Sequence, residues 1–321
     1  MRVFVTGATG LLGFAIVNEL VAAGHQVTGL ARSDASAKKL ADVGAANLRG
    51  DIENLDVLRA GAANADGVIH TAFYHQISHI PLGTRLRVFL GGLPTAIVGR
   101  FLQAALDADR RALETMGGAL QGSGRPLVGT FGTMQMQAGK VATEDEAYDP
   151  NSAGAMRGAT ESVLEKLASR GVRTSMVRLP PIVHGENDRN GFMPLLIKTA
   201  RKKRESAYIG DGMNLWGAVH KLDAAHLYRL VLEDGPAGVA YHAAAEQGIP
   251  FREIAQHIGD ELKLPVVSKS PADASKQFSF LSGFVRADNP VSSALTIERT
   301  GWQPTHPNLF ADLEQSGYFH P

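Results

Sequence analysis

Cysteine is absent from the sequence, so disulfides, thiolate metal sites and cysteine nucleophiles drop out at once. A charge excess is absent too: 32 lysines and arginines face 32 aspartates and glutamates. Bulk charge therefore gives no case for a nucleic-acid partner or an anionic membrane, both of which need a basic excess or patch. The apolar stretch from Val88 to Gly99 is bracketed by Arg87 and Arg100. It falls short of the about 20 residues a helical span needs, so no integral membrane association is expected. Internal repeats and low-complexity tracts are missing. The 11 histidines show no His-Glu-x-x-His spacing, no G-x-S-x-G nucleophile elbow occurs, and no metal is expected.

What is present is an ordinary globular balance, 44% hydrophobic and 20% charged over 321 residues. That suffices for a large core in one large domain or about two smaller ones. The Met-Arg start followed by an apolar run imitates a signal peptide, but the glycine-rich turn at Gly7 argues for a fold instead. The expectation is a soluble, cytoplasmic α/β protein.

Apolar runs alternate with helical periods from the first residues. Arg2–Thr6, Gln26–Ala31, Ala46–Leu48, Gly67–Thr71, Leu127–Phe131 and Thr174–Leu179 read as strands. Between them, helical spacing appears over Leu11–Ala23, Ala35–Val43, Leu55–Ala62 and Gly158–Ser169, with Gly24 and Gly171 as stops. Strands separated by helices predict a doubly wound, mostly parallel sheet. After Pro180-Pro181 the regularity weakens. Helices are expected near Met193–Lys203, over Lys221–Glu233 and over Phe251–Leu262, with a strand at Val239–Ala244. Residues 1–180 are expected to form a dinucleotide-binding core. Residues 181–321 are expected to be mostly a smaller substrate-binding region, with about 219–245 returning to the core.

Residues 6–13 read Thr-Gly-Ala-Thr-Gly-Leu-Leu-Gly, after a strand and opening a helix. Glycines there permit a tight turn, close approach of backbone to a pyrophosphate, and close helix–strand packing. The helix start offers free N–H groups and a positive dipole end. Gly7, Thr9, Gly10, Leu11, Leu12 and Gly13 are therefore cofactor-binding candidates.

This G-x-x-G-x-x-G spacing resembles the extended and atypical short-chain dehydrogenase/reductases, the NAD(P)-dependent epimerase/dehydratase type. Gly50-Asp51-Ile52, His70-Thr71-Ala72-Phe73, Arg178 through Gly185, and Gly210-Asp211-Gly212 leading to Val219-His220-Lys221-Leu222-Asp223-Ala224-Ala225 match the family in order. The resemblance covers nearly the whole chain and implies a Rossmann fold. It places Asp51 and Ile52 beside the adenine, and Thr71, Ala72 and Phe73 beneath the ribose and pyrophosphate. Pro180, Ile182 and Val183 would lie at the nicotinamide. It also implies a homodimer through the helices that carry Asp109 and Arg157.

The second strand ends Leu30-Ala31-Arg32-Ser33-Asp34. A carboxylate at that point suits NAD, and a cation suits the 2′-phosphate of NADP. Arg32 holds the position, so NADP is favoured over NAD.

The family's chemistry uses a Tyr-x-x-x-Lys pair followed by a Glu. Glu161 fits that Glu, which puts Arg157 at the Lys and Ala153 at the Tyr. Alanine transfers no proton, and Arg157 stays charged at neutral pH. The resemblance leaves Arg157 to bind ribose hydroxyls, Thr133 to orient the substrate oxygen, and Asp109, at the family's Asn, to hold a polar relay. Tyr74, His75 and His184 are weaker candidates to replace the tyrosine.

Between His75 and Asp109 lies a long apolar insertion, about 75–105, broken by Pro81, Gly83, Gly91-Gly92 and Pro94. It reads as a lid, a dimer arm, a membrane-surface contact or an extra packed helix. The expected function is that of an NADP-dependent oxidoreductase. It would move a hydride between nicotinamide and a small, apolar carbonyl, alcohol or unsaturated substrate. A non-catalytic NADP(H)-binding regulator and a nucleotide-sugar epimerase or dehydratase are the alternatives.

Overall fold

The computed structural model describes residues 1–320, the side chain of Pro94 left aside. Its strands are β1 (Arg2–Thr6), β2 (Gln26–Ala31), β3 (Ala46–Arg49), β4 (Gly67–His70), β5 (Pro126–Gly132) and β6 (Arg173–Leu179). Then come β7 (Ile182–His184), β8 (Ser206–Ile209), β9 (Leu215–His220), β10 (Val239–His242), β11 (Glu246–Pro250) and β12 (Val266–Lys269). Seven form one sheet in the order β10-β6-β5-β4-β1-β2-β3. β1 pairs in parallel with β2 and with β4, as do β2 with β3 and β4 with β5. Strand order reverses at β1, with β2 and β3 on one side and β4 and β5 on the other. That is the doubly wound arrangement, and its switch point is where such sheets bind ligands.

The helices are α1 (Leu11–Ala22), α2 (Asp34–Ala41), α3 (Leu55–Ala63), α4 (Leu82–Leu90), α5 (Ile97–Leu120), α6 (Ala155–Gly158) and α7 (Glu161–Ala168). They continue as α8 (Phe192–Lys203), α9 (Lys221–Asp234), α10 (Phe251–Leu262), α11 (Ala274–Phe278), α12 (Ser282–Val285), α13 (Ala294–Thr300) and α14 (Leu309–Gln315). Among the described residues no helix is long and apolar enough to cross a membrane.

The chain divides into two compact units. The first holds Met1–Gly129, Thr160–Met176 and Val231–Val239. Phe4, Ile16, Leu20, Leu58 and Ile69 are sealed in its core, and each such side chain contributes about 1.5–3 kcal/mol by leaving water. α1 stops because Gly24 takes a left-handed φ of +81°, which lets the His25 amide reach back to the Leu20 carbonyl at 2.9 Å. Arg125 donates to the carbonyls of Ala63 (3.0 Å), Ala65 (2.6 Å) and Ala119 (3.1 Å), covering the carboxyl ends of α3 and α5. Arg173 grips the carbonyls of Leu232 (2.7 Å), Glu233 (3.1 Å) and Gly235 (2.6 Å).

The second unit holds Thr130–Ala159, Val177–Leu230 and Ala240–Pro321. Trp216 is fully buried there, edge-on to Phe192 and Phe251 at 5.1 and 5.0 Å. Its indole N–H is satisfied by the Ala287 carbonyl at 3.2 Å. β7 and β11 flank β9 in a small sheet, and β8 pairs with β12.

Residues 130–159 group with the second unit. Backbone bonds from Asp149 to Gln135 (2.8 Å) and from Gly154 to Met134 (2.9 Å) fold that segment on itself. Arg178 then donates to the Glu144 and Glu146 carbonyls at 3.1 and 3.0 Å. The helix expected over Gly158–Ser169 starts later, as α7 at Glu161, and the short α6 ends at Gly158. The Tyr148 ring packs on Gly158, where a Cβ would stand 2.6 Å from it.

Candidate functional site

The glycine loop joins β1 to α1. Gly7 has φ +68°, and a Cβ there would stand 2.5 Å from the Thr71 hydroxyl. A Cβ on Gly13 would meet the Gly7 carbonyl at 2.1 Å. The Gly10 amide closes the turn on the Gly7 carbonyl at 2.9 Å. α1 has no side-chain cap and no acidic residue in its first turn, so its leading N–H groups remain available to an anion. Thr9, Leu11 and Leu12 are half-buried around this opening. Loop and helix start thus fit a dinucleotide pyrophosphate.

At the end of β2, Arg32, Ser33 and Asp34 are exposed. Ser33 caps α2, its Oγ accepting from the Ser36 amide at 3.2 Å. Asp34 turns to Arg49, 3.3 Å away. Arg32 makes one long bond, to the His79 carbonyl at 3.4 Å. Lys39 was missed in the sequence, where it reads as a surface lysine on α2. It bends over the Phe14 ring at 3.9 Å and donates to the Thr9 carbonyl of the glycine loop at 3.2 Å. Two cations therefore lie about the end of β2, where Asp34 is within ion-pair distance of Arg49.

Asp51 makes a local turn, its Oδ1 accepting from the Glu53 amide at 2.8 Å, while Ile52 is buried. Thr71 donates its hydroxyl to the Thr6 carbonyl at 2.8 Å. Ala72 and Phe73 are half-buried beyond it, Phe73 beside the His75 ring at 5.3 Å. Thr6 Oγ1, His70 and Asp109 form a sealed chain. His70 Nδ1 lies 2.7 Å from Thr6, and its Nε2 lies 3.0 Å from Asp109 Oδ1. Asp109 Oδ2 is buried with no partner among the described residues. Tyr74 is also buried with an unpartnered hydroxyl. Burial, and then Asp51 and Glu53, push its pKa well up, so it stays protonated at neutral pH. His75 and His79 stand four residues apart, but a single 3-10 turn, Ile77–His79, separates them rather than one helix face.

In the second unit, Thr133 is fully buried. Its hydroxyl donates to Asn289 Oδ1 at 2.6 Å, and Asn289 Nδ2 donates back to the Thr133 carbonyl at 2.8 Å. Arg157, on α6, donates to the Thr130 carbonyl at 2.9 Å. The Tyr228 hydroxyl donates to Thr130 Oγ1 at 2.7 Å. Ala153 is exposed. Pro180 is buried just before β7, and Ile182 and Val183 lie within that strand, opposite Ala218 and Val219 of β9.

His184 is buried, with Nδ1 on Asp312 at 2.8 Å. Its ring meets His220 edge-on at 5.4 Å, and His220 stacks on His306 at 4.8 Å with 10° between planes. His220, Asp223 and His306 offer grouped ligand atoms. Asp223, however, accepts from the Thr305 and His306 amides and meets His306 Nδ1 at 2.7 Å. The stacked rings hold their lone pairs in parallel planes, so the two imidazoles do not converge on one point.

Comparisons with known proteins complete the description. Residues 3–82 match the model of the NAD dependent epimerase/dehydratase family. "Uncharacterized protein C2A9.02" of Schizosaccharomyces pombe is 46% identical, over 99% of this chain and 100% of its own. A 4-hydroxy-2-methyl-3-oxo-4-farnesyl-3,4-dihydroquinoline-1-oxide ketoreductase of Stigmatella aurantiaca is 29% identical, over 88% of this chain and 87% of its own. Among solved structures, DesIV, a dTDP-glucose 4,6-dehydratase from Streptomyces venezuelae with NAD and TYD bound, superposes with a TM-score of 0.75. It covers 100% of this chain and 97% of its own at 18% identity, a likeness of fold. The glycine loop at the switch point, the matched family model and the full-length relatives agree: the chain belongs to the NAD dependent epimerase/dehydratase family, a group of extended short-chain dehydrogenase/reductases.

Proposed function

We propose that the protein is an NADP-dependent oxidoreductase acting on an apolar carbonyl or alcohol, or a related unsaturated group. The observation that carries this reading is the edge of β2, where Arg32 is exposed and donates to the His79 carbonyl, Lys39 reaches the Thr9 carbonyl of the glycine loop, and Asp34 lies 3.3 Å from Arg49. Two cations suit a 2′-phosphate, whereas NAD binding would want a carboxylate on the ribose.

Bound there, NADP supplies hydride chemistry. Gly7 and Gly13 let backbone approach the pyrophosphate, and the start of α1 offers it N–H groups. Asp51, Ile52, Thr71, Ala72 and Phe73 are proposed to line the adenine and ribose, and Pro180, Ile182 and Val183 the nicotinamide. Arg157 is proposed to hold ribose hydroxyls. Thr133 is proposed to orient the substrate oxygen. Its own proton is given to Asn289, so it presents lone pairs, which suits the alcohol form. Asp109, set by His70, holds a polar relay. In the reducing direction the substrate carbon gains the hydride and its oxygen gains a proton from water, since Ala153 carries none.

The farnesyl-bearing ketone named for the Stigmatella relative supports an apolar oxo substrate. Ala153 favours a second reading, an NADP(H)-binding regulator without chemistry. A cytoplasmic homodimer is the proposed state.

NADPH and NADH are titrated separately into the purified protein, with cofactor fluorescence followed. A ketone, aldehyde and enone panel is then read at the NADPH absorbance band. Tight NADPH binding, weak NADH binding and turnover of apolar members support the proposal. Binding without turnover of any member supports the regulator. Failure to bind either cofactor overturns both.

A further inference from the structure

α4 presents its apolar side outward. It buries Thr84 and Val88, while Leu82, Leu86, Phe89 and Leu90 are exposed, Leu90 at 79%. At about 100° per residue these four fall within an arc of roughly 100°, on the side away from the buried pair. Leu93, 75% exposed, extends the patch past the helix end. Contiguous apolar surface of this kind marks an interaction site.

Charge is arranged around the patch. Arg85 and Arg87 flank the apolar arc, roughly 40° and 60° beyond its two edges. Arg85 is held by the Ser78 and Ile80 carbonyls at 2.8 and 3.2 Å, and Arg87 by the Thr84 hydroxyl at 3.1 Å. Arg100 is held by the Val88 and Leu93 carbonyls at 2.8 and 3.0 Å. Neutral acceptors fix these side chains without cancelling their charge. From Gly67 to Leu106 the sequence contains no aspartate or glutamate. Glu53, which accepts from Thr84 beneath the helix, also faces Arg111 at 3.7 Å. A net charge of zero over the whole chain thus conceals a locally cationic, apolar face.

We propose that this face docks on an anionic lipid surface. The apolar side chains enter the boundary between headgroups and acyl chains, and Arg87, exposed at the rim, meets lipid phosphates, with Arg85 and Arg100 adding positive charge beneath it. Arginines at the rim of an apolar helix face can snorkel to the headgroups while their stems stay with the acyl chains. A second copy of the chain fits less well, because a two-fold contact sets the same cationic rims against each other. The inference is independent of the cofactor reading.

The full chain is sedimented with vesicles of phosphatidylcholine alone and of phosphatidylcholine mixed with phosphatidylglycerol. The wild type is expected to pellet with the mixed vesicles at least about tenfold more strongly than with the neutral ones, and less so at high salt. A Leu86→Asp, Leu90→Asp double variant is expected to lose that binding about tenfold or more. Arg87→Glu is expected to lose it severalfold. All substituted positions are exposed, and unchanged melting temperature shows that the variants fold. Three results would overturn the proposal: no pelleting of the wild type with mixed vesicles, equal pelleting of the double variant, or a lipid-free dimer that the double variant abolishes. The last would give the face to a second copy.

Discussion

His70 and Asp109 meet at 3.0 Å where neither side chain reaches solvent. Removing Asp109 leaves a buried His70 nitrogen without this partner, at a cost of about 1–3 kcal/mol. Asp109→Ala is therefore expected to lower stability by that amount in urea denaturation. Asp109→Asn keeps an acceptor for His70 and is expected to lose less. An alanine variant within about 1 kcal/mol of wild type would show that the pair does not hold β4 to α5.

Arg32 and Lys39 together are expected to set cofactor choice. A charge-assisted hydrogen bond is worth about 1.5–3 kcal/mol, or roughly 10- to 100-fold in affinity. Arg32→Ser combined with Lys39→Gln should weaken NADPH by at least that factor and leave NADH nearly unchanged, read by fluorescence titration. Equal losses for both cofactors would move the two cations from the 2′-phosphate to the pyrophosphate.

Acid should destabilise the second unit. Burial depresses the pKa of His242 to about 4, with the Arg178 charge adding to it. Burial likewise depresses His220 to about 4, helped by His184 and His306 and opposed by Asp312 and Asp223. Unfolded, each titrates near 6.5. Between those values the unfolded chain binds more protons, so stability falls as pH drops from about 6.5 towards 4 and is level above that window. For His242 the full difference is about 3 kcal/mol. Urea midpoints across this range should fall with pH in the wild type and fall less in His242→Gln. An identical slope in the variant would remove His242 from the account.

Gly13→Ala places a methyl against the Gly7 carbonyl, a backbone atom that cannot swing aside. We expect a loss of about 1–3 kcal/mol in stability and a much larger loss of NADPH binding, measured on the same preparation. Gly118→Ala, on the open face of α5 where a Cβ meets nothing within 4 Å, serves as the control and should be neutral or slightly stabilising.

The parts legible in the sequence are those fixed by neighbours along the chain. β1, β2 and α10 begin and end where the apolar period predicts, and Gly24 stops α1 through its own backbone. The parts that escaped are set by residues far apart. Thr133 lies 156 residues from the Asn289 that occupies its proton. Trp216 of β9 pairs with Ile249 of β11 across an irregular register. Lys39 looks like any surface lysine until α2 is packed beside the glycine loop. The absence of the tyrosine was plain at Ala153, but an absence names no substitute.

Arg173 ties the last segment of the first unit to its sheet, and that segment is Val231–Val239. During synthesis, at about 5–20 residues per second, the glycine loop leaves the ribosome within a few seconds. Its unit cannot close until residue 239 follows, roughly ten seconds or more later. For that interval the nascent chain displays a finished nucleotide loop on an unfinished sheet. The first unit thus waits for residues 177–230 of the second to be made before it can be completed.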